Sequence, residues 1–226
     1  MNTYIPTQRT KVRRLSKRAV YDKAQVHAIL DEGLVCHVGF VVDGQPFVLP
    51  TTYARVGEHL YLHGSVASRM LTALEGGTPL CVTVTLLDGL VLARSAFHHS
   101  MNYRSVIVLG VASVVTDEQE KRKALDAIVE HVVPHRRAEV RGPSPEELRA
   151  TLVVSLPITE ASGKVRTGPP VDLEADYATP CWAGVIPLRV TTGNPEPDPR
   201  LAPGTEIPKS VAGYRRAAPE SARCSP

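Results

Sequence analysis

Residues 63–69, with the sequence His-Gly-Ser-Val-Ala-Ser-Arg, are suited to binding an anion. The pattern predicts a strand that ends at Gly64 and a helix that begins at Ser65. The first turn of a helix has free backbone N–H groups and the positive end of the helix dipole. Ser65 and Ser68 add hydroxyls, and Arg69 adds a fork of donors shaped for phosphate. These residues therefore predict a phosphate site, although an ordinary serine cap beside a surface arginine fits the same spacing.

Residues 98–110 place polar side chains directly before a strand. Their first half carries two imidazoles, a hydroxyl, an amide, a phenol and a guanidinium, and their second half is apolar and β-branched. Side chains at the mouth of a buried strand are held in fixed positions, as a binding site requires. This segment is a second candidate site, in which His98 and His99 are candidates either for proton transfer or for packing.

Residues 49–53 form a third candidate, because Pro50 cannot donate a hydrogen bond to a neighbouring strand. The strand must therefore lie at an edge or contain a bulge at that point. Either arrangement leaves backbone groups free for a planar ligand with a polar rim. A plain edge strand without a ligand is the alternative.

Lys164 and Arg166 precede a proline-rich turn that leads to Asp172, Asp176 and the sole tryptophan, Trp182. The two cations can reach an anionic ligand from such a turn. A surface loop followed by a core tryptophan is the alternative, and the sequence leaves the two open.

The eight histidines do not form a recognisable metal-binding pattern. Pro134 breaks the helix between His131 and His135, and the adjacent His98 and His99 point apart on a strand. No carboxylate lies at a recognisable spacing, so we predict no protein-bound metal. A Gly-x-Ser-x-Gly sequence is also absent, so nothing supports a hydrolase triad.

Short antiparallel strands dominate the predicted fold and imply a sandwich or a closed barrel. Asp43-Gly44 and Asp88-Gly89 are both two-residue hairpin signals. The predicted strands are 34–42, 45–54, 59–64, 80–87, 90–97, 105–115, 152–156 and 182–190. Predicted helices cover 20–33, 66–75, 117–133 and 145–150, with Asp22, Thr116 and Ser144 as N-caps and Gly33 after the first helix.

The 226 residues suit one domain of ordinary size, and the net charge of +3 is too small to indicate a nucleic-acid partner by itself. Neither a signal peptide nor a membrane-spanning segment is predicted, and the cysteines form no CxxC pair. We therefore expect a cytoplasmic protein. Residues 1–20 are a basic arm, 21–190 the folded domain, and 191–226 a loosely ordered tail rich in proline and glycine.

Taken together, these stretches resemble the flavin-binding split-barrel superfamily, which includes pyridoxamine 5′-phosphate oxidase. The likeness is strongest to the branch that contains the nitroimidazole-resistance proteins. It is carried by VCHVGFVVDGQPFVLPTTYA, LYLHGSVASRML, HHSMNYRSVIVLG, ASGKVRTGPPVD and WAGVIPL. The resemblance implies a mainly β fold with peripheral helices, a six-stranded antiparallel Greek-key split barrel of the FMN-binding type. It also implies a homodimer with two FMN molecules in clefts at the subunit interface.

The resemblance implies a role for individual residues. Gly64, Ser65, Ser68 and Arg69 would hold the phosphate, and His63 would lie beside the reactive side of the flavin ring as the catalytic residue. The remaining cofactor contacts that it implies are Pro50, Thr51, Thr52, Tyr53, Tyr103, Arg104, Ser105, Lys164 and Trp182.

Two departures from the oxidase affect the predicted activity. Pro50-Thr51-Thr52 replaces the basic residues with which the oxidase grips FMN, and its C-terminal Arg-x-His pattern is not found here. We therefore predict an FMN-dependent oxidoreductase that acts on a small molecule, with an activity like that of the oxidase or a nitro-reducing one, and the two departures count against oxidation of vitamin B6 itself. The alternative is a flavin- or heme-binding protein without turnover, since members of the superfamily also bind heme or a deazaflavin. A nucleic-acid partner for the basic arm is a third alternative.

Overall fold

A computed structural model describes residues 2–215 of the chain, and β-strands dominate it. The strands are β1 (Ala19–Val20), β2 (Val35–Val42), β3 (Gln45–Val56), β4 (His59–Ser65), β5 (Pro79–Leu92), β6 (Ser100–Val111), β7 (Ser113–Val114), β8 (Thr151–Pro157), β9 (Glu160–Arg166) and β10 (Gly184–Pro187). The α-helices are α1 (Lys23–Glu32), α2 (Arg69–Glu75), α3 (Glu118–Val132), α4 (Pro145–Ala150) and α5 (Lys209–Ala212). Short 3₁₀ helices lie at Ser16–Arg18, Ala96–His98, Arg136–Glu139 and Glu174–Ala178.

All strand pairs are antiparallel, and the strand order is β1-β9-β6-β5-β2-β3-β4-β8-β7, with β10 added to β5. The long strand β3 joins the two halves of the sheet. Its residues 45–52 pair with β2, whereas its residues 53–56 pair with β4. The predicted mainly β, antiparallel class with helices at the periphery is confirmed.

The two predicted hairpins have different outcomes. Asp43 and Gly44 both have positive φ angles, 50° and 77°, as a two-residue turn between β2 and β3 requires. The hairpin at Asp88-Gly89 is wrong, because β5 runs through it and only a register irregularity between Leu87 and Gly89 marks the place. A Cβ on Gly89 would lie 3.1 Å from the carbonyl oxygen of Ile186. This glycine therefore allows β10 to approach β5 closely and makes no turn.

Strand β6 begins at Ser100, five residues before the predicted start, so residues 101–105 lie within the strand and not at its mouth. Strand β9 was not predicted, because its sequence, EASGKVR, contains a single β-branched residue, Val165, and no aromatic one. Near the end of the domain the prediction was too long, since β10 covers only Gly184–Pro187. Trp182 lies before it with 70% of its surface exposed, so the core alternative for this residue is wrong.

The helix caps follow local chemistry. Asp22 caps α1 as predicted, and Ser144 caps α4 within a full capping box. The N-cap of α3 is Asp117 and not Thr116, and its carboxylate accepts from the backbone N–H of Glu120. Both are capping residues, and the carboxylate is the one that also interacts with the helix dipole.

The main apolar core lies between the two halves of the sheet and beneath α1. Val26, Leu30, Val38, Leu62 and Val84 are fully buried in it. A second, smaller cluster joins α3 to the opposite face of β4 and β8. By contrast, the outer face of β2 and β3 exposes apolar side chains.

The chain ends pack against the domain. Ala19 and Val20 of the basic arm pair with β9, and Arg9 forms an ion pair with Glu160. In the tail, the Tyr214 hydroxyl donates to the Val132 carbonyl at 3.1 Å. The predicted boundaries at residues 20 and 190 stay predictions, and residues 216–226 of the predicted tail lie outside the described residues. None of the helices within residues 2–215 is long and apolar enough to cross a membrane.

Gly33 ends α1 without the left-handed conformation expected of a glycine there, since its φ is −69°. Its role is steric: a Cβ at this position would lie 2.4 Å from Cγ1 of Val84 and 3.0 Å from the Tyr53 hydroxyl. Gly33→Ala is expected to lower the free energy of unfolding by about 1–3 kcal/mol, because it overpacks the core. Urea unfolding followed by circular dichroism measures the change. Gly193→Ala is the matched control, since no atom lies within 4 Å of its Cβ, and equal effects of the two substitutions would contradict this explanation.

Candidate functional site

The turn between β4 and α2 offers side-chain donors to an anion more than backbone donors. The helix begins at Arg69 with Ser68 as its N-cap, four residues later than Ser65, where the sequence placed its start. The backbone N–H groups of Val66 and Ser68 donate to the carbonyls of Ala150 and Ser65, and that of Ala67 donates to the Ser65 hydroxyl oxygen. The predicted cradle of free N–H groups is therefore largely filled within the protein.

Side chains remain for the anion. The hydroxyl oxygens of Ser65 and Ser68 accept from backbone N–H groups, so their own protons stay available to donate. Arg69 is exposed, and no carboxylate pairs with it anywhere in residues 2–215. Its guanidinium lies over the Phe47 ring, 5.5 Å from the centroid. Phe47 in turn stacks on Phe40, so aromatic side chains support a cation that has no counter-ion.

The pairing of β3 decides which of its predicted contacts can meet a ligand. Pro50 is opposite His37 and Thr52 is opposite Val35, both of which are exposed on the outer face of the sheet. Thr51 is opposite the buried Cys36, so its side chain points to the inner face. Pro50 and Thr52 therefore stay available on the outer face, whereas Thr51 offers mainly its backbone.

Tyr53 requires a correction, because its side chain is completely buried. Its hydroxyl donates to the Leu30 carbonyl at the end of α1, and its ring packs against His131. A side chain held in the core in this way cannot line a cofactor cleft. The predicted role can apply only to the Tyr53 backbone.

The candidates on β6 divide between two faces, since successive side chains of a strand alternate. Tyr103 and Ser105 lie opposite the exposed Leu87 and Thr85, on the outer face. Arg104 lies between them on the inner face, so the three residues cannot meet one flavin as a group.

Arg104 forms an internal ion-pair network, which corrects its predicted role as a cofactor contact. Its guanidinium donates to both carboxylate oxygens of Glu32 and, at 2.8 and 2.9 Å, to those of Asp88. These two carboxylates raise the pKa of Arg104 above its ordinary value, Glu32 having the larger effect. Arg104 therefore joins the end of α1 to the middle of β5.

Lys164 and Trp182 lie in different places. Lys164 is opposite Ser105, and its carbonyl accepts from the Ser105 hydroxyl at 3.3 Å, so it belongs to the outer-face group. Trp182 packs over Gly184, which is opposite Leu92 near the end of β5. Seven residues separate Leu92 from Thr85, the partner of Ser105, which corresponds to roughly 20 Å along a strand. One subunit therefore does not bring Trp182 to the same ligand as Ser105.

His63 is placed for chemistry that needs a neutral imidazole. Its Nδ1 is buried without a hydrogen-bond partner within the described chain. Burial lowers its pKa below the ordinary value of 6.5. His63 lies opposite Val153, on the face of β4 where α3 packs. At neutral pH the ring is therefore uncharged and able to accept a proton or bind a metal centre.

His98 and His99 are held by local hydrogen bonds. The Nδ1 atoms of the two rings lie 2.9 Å from the Ser95 hydroxyl and 3.0 Å from the Ser95 carbonyl, respectively. A cavity of about 670 Å³ lies elsewhere, between the tail and the end of α3, and none of the predicted site residues lines it. The residue that sequence reasoning missed is Phe47, whose only signal was its place three residues after the hairpin turn.

Comparison with known proteins assigns the family. A sequence-family model described as pyridoxamine 5′-phosphate oxidase matches residues 22–165, more than half of the chain. The chain belongs to the pyridoxamine 5′-phosphate oxidase family. The resemblance inferred from the motifs is thus confirmed, together with the split-barrel fold of this flavin-binding family. No curated protein matches the chain.

Solved structures extend the similarity over nearly the whole chain. The flavocytochrome Anf3 from Azotobacter vinelandii is 47% identical, with a TM-score of 0.89 over 94% of this chain and 99% of its own. An FAD- and heme-binding protein from Mycobacterium smegmatis is 39% identical, with a TM-score of 0.84 over 87% and 96%. A 5-nitroimidazole antibiotic resistance protein from Bacteroides thetaiotaomicron is 27% identical, with a TM-score of 0.56 over 65% and 86%. The first two cover the chain more completely than the nitroimidazole-resistance branch.

The lowered pKa of His63 predicts a dependence of stability on pH. Because the unfolded chain takes up the proton first, folding is most favoured above pH 6.5, and stability falls as the pH drops through 6.5 toward the folded pKa. His63→Gln is expected to flatten the slope of melting temperature against pH between about 5 and 7. His27, whose pKa burial also lowers, keeps part of the slope. The exposed residue His59, on the same strand, supplies the control His59→Gln, and an unchanged slope in His63→Gln would contradict the assignment.

Proposed function

We propose that this protein is a flavin-dependent oxidoreductase that also binds heme. The observation that carries the flavin assignment is Arg69, an exposed cation without a carboxylate partner, beside two serine hydroxyls at the end of β4. Support for heme comes from two relatives, a flavocytochrome and an FAD- and heme-binding protein, which are similar to this chain from end to end. A bound flavin supplies hydride and single-electron chemistry, and a bound heme supplies single-electron chemistry.

Arg69, Ser65 and Ser68 would bind the phosphate end of the flavin. A guanidinium can give a phosphate two parallel hydrogen bonds, and the hydroxyls can donate one each. Gly64 lets Leu71 of α2 pack close to the end of β4, because a Cβ there would lie 3.1 Å from Cδ1 of Leu71. The Phe47 ring packs against the Arg69 guanidinium and already restricts it, so Arg69 loses little conformational entropy when the anion binds.

The ring end involves donors on the outer face of the sheet, and these favour a homodimer. Thr52 lies on β3 and Ser105 on β6, with β2 and β5 between them. Three strand spacings correspond to about 14 Å, too far apart for both residues to contact one edge of a flavin ring. We infer that one subunit supplies Thr52 and its partner supplies the residue equivalent to Ser105, so that the cofactor lies in a cleft between the two subunits.

The outer face has the composition expected of a surface covered by a second copy. Val35, Val41 and Val48 expose 46%, 50% and 64% of their surface, and Met101 and Val111, near opposite ends of β6, expose 51% and 48%. Several large apolar side chains exposed on one face of a sheet are typical of a surface that a partner covers. A twofold dimer would bury this face of each copy against its partner.

Two assignments within this proposal concern cofactor identity and His63. FAD is preferred to the FMN of the first prediction, and to a deazaflavin, because the relative from Mycobacterium smegmatis is described as an FAD and heme protein. His63 is the proposed catalytic residue, since burial keeps its imidazole neutral. The proposed substrate and electron donor are small molecules, and the proposed location is the cytoplasm.

A flavin- and heme-binding protein without turnover is the second candidate. It is favoured by the relative from Mycobacterium smegmatis, which is described by what it binds, FAD and heme, and not by a reaction. Steady-state reduction of the cofactors by NADH or NADPH, with oxygen or a nitroaromatic compound as acceptor, separates the candidates. Stoichiometric reduction without turnover would favour binding alone.

The absorption spectrum of the purified protein tests the proposal directly. Flavin bands and a Soret band are expected together, and mass spectrometry of the released cofactor distinguishes FAD from FMN. Ligand at 100 times its Kd should stabilise the folded protein by about 2.7 kcal/mol. A colourless protein whose melting temperature does not respond to FAD, FMN or heme would rule the proposal out. His63→Ala then tells the roles of His63 apart: loss of the Soret band indicates an iron ligand, and lost turnover with both bands intact indicates proton transfer.

Arg69→Ala is expected to weaken flavin binding about 10- to 100-fold, which corresponds to a lost charged hydrogen bond of about 1.5–3 kcal/mol. Arg69→Lys should recover part of the affinity, since lysine keeps the charge but not the fork of donors. Isothermal titration of apoprotein with the flavin measures both changes. Arg149→Ala is the control, because Arg149 is an exposed arginine whose partner, Glu146, is a surface carboxylate. If Arg69→Ala bound flavin as tightly as this control, the phosphate assignment would be wrong.

A further inference from the structure

Three side chains of types that bind metal ions converge near the end of β5, away from Arg69. A ring nitrogen of His98 and one carboxylate oxygen each from Asp172 and Asp176 lie within 4.8 Å of one another. Acidic groups that meet at a surface are common, but none of these residues is exposed. Asp172 is buried, and the other two are half-buried.

Neighbouring groups fix the orientation of two of these side chains. The Ser95 hydroxyl bonds Nδ1 of His98 at 2.9 Å, which leaves Nε2 for another ligand. Histidines that bind metals are usually held through their second ring nitrogen in this manner. Asp172 accepts from the backbone N–H and the guanidinium of Arg94, at 3.1 and 3.0 Å. Each carboxylate oxygen of Asp172 has two lone pairs, so one lone pair on each oxygen remains free to bind a metal ion.

The charges of the cluster favour a cation. Asp172 and Asp176 carry like charges at short range, and Arg94 balances only one of them. The Arg94 guanidinium also lies over the Tyr177 ring, 4.8 Å from its centroid, so it is engaged on that side. One imidazole with two carboxylates is a ligand set for zinc, iron(II), cobalt(II) or manganese(II), whereas calcium and magnesium prefer oxygen ligands alone.

We propose that His98, Asp172 and Asp176 bind one divalent transition-metal ion. The ion would tie the segment that carries the two aspartates to the 3₁₀ helix at Ala96–His98, directly after β5. The Cys181 thiol donates to the Arg94 carbonyl at 3.7 Å, so the neighbouring Trp182, the sole tryptophan, lies close to the cluster.

Metal analysis after equilibrium dialysis tests the site on the protein as purified, with its cofactors, after treatment with a chelator that leaves heme iron in place. The probe is Zn²⁺ at micromolar concentration, and about one ion per chain is expected. His98→Gln and Asp176→Asn should each weaken zinc binding at least about tenfold. Asp172 is left unchanged, because its substitution would leave Arg94 without a partner. Co²⁺ should quench Trp182 fluorescence in the wild-type protein and not in the two variants.

The matched controls are His99→Gln and Asp198→Asn, both at exposed positions, and they should bind zinc like the wild-type protein. Three results would overturn the proposal. The wild-type protein could bind no more zinc than the two site variants, as expected if a protonated His98 balances the carboxylates. The controls could lose as much binding as the site variants. Finally, His98→Gln could abolish the Soret band, which would make His98 a ligand of heme iron.

Discussion

The pairing of β5 with β6 decides which side chains can do chemistry. It runs from Pro79 opposite Val111 to Val91 opposite Ser100, which makes it the longest strand pair of the sheet. Since partners across an antiparallel pair share a face, this register places Tyr103 and Ser105 outside and Arg104 inside. A slip of one residue would exchange the two sets. The bonds from Arg104 to Glu32 and Asp88 hold the register, because they form only when this side chain points toward α1.

The sequence was informative where one local rule acts alone. The turn at Asp43-Gly44 follows from the positive φ that its conformation needs, and the cap at Asp22 follows from one side-chain hydrogen bond. It was uninformative where a partner distant in the chain decides. Gly89 carries the same signal as Gly44, yet the approach of β10 explains it. Strand β9 exists because β6 and β1 pair with it, not because its own residues favour a strand.

The candidate site shows the same division. The motif at Ser65, Ser68 and Arg69 indicated a candidate anion site without geometry, because its donors are close in sequence. The aromatic ring that supports Arg69 belongs to Phe47 on β3, and no spacing in the chain connects Phe47 to α2. The side-chain contacts expected of Tyr53 and Arg104 do not fit the structure, because family motifs mark positions and do not tell which way a side chain points. Alternation along the strands supplies that direction, and it could have been applied to the sequence.

The ends of the sheet have a consequence for how copies of this protein can meet. The outermost strands, β1 and β7, are each only two residues long. A long unpaired edge is a template on which another chain can add a strand and begin to aggregate, and very short edge strands remove that template. Association through backbone hydrogen bonds is thereby restricted to the residues of β8 and β9 that these short strands leave unpaired. The proposed twofold contact would use the broad face of the sheet instead, and a closed pair of that kind does not grow into a fibre.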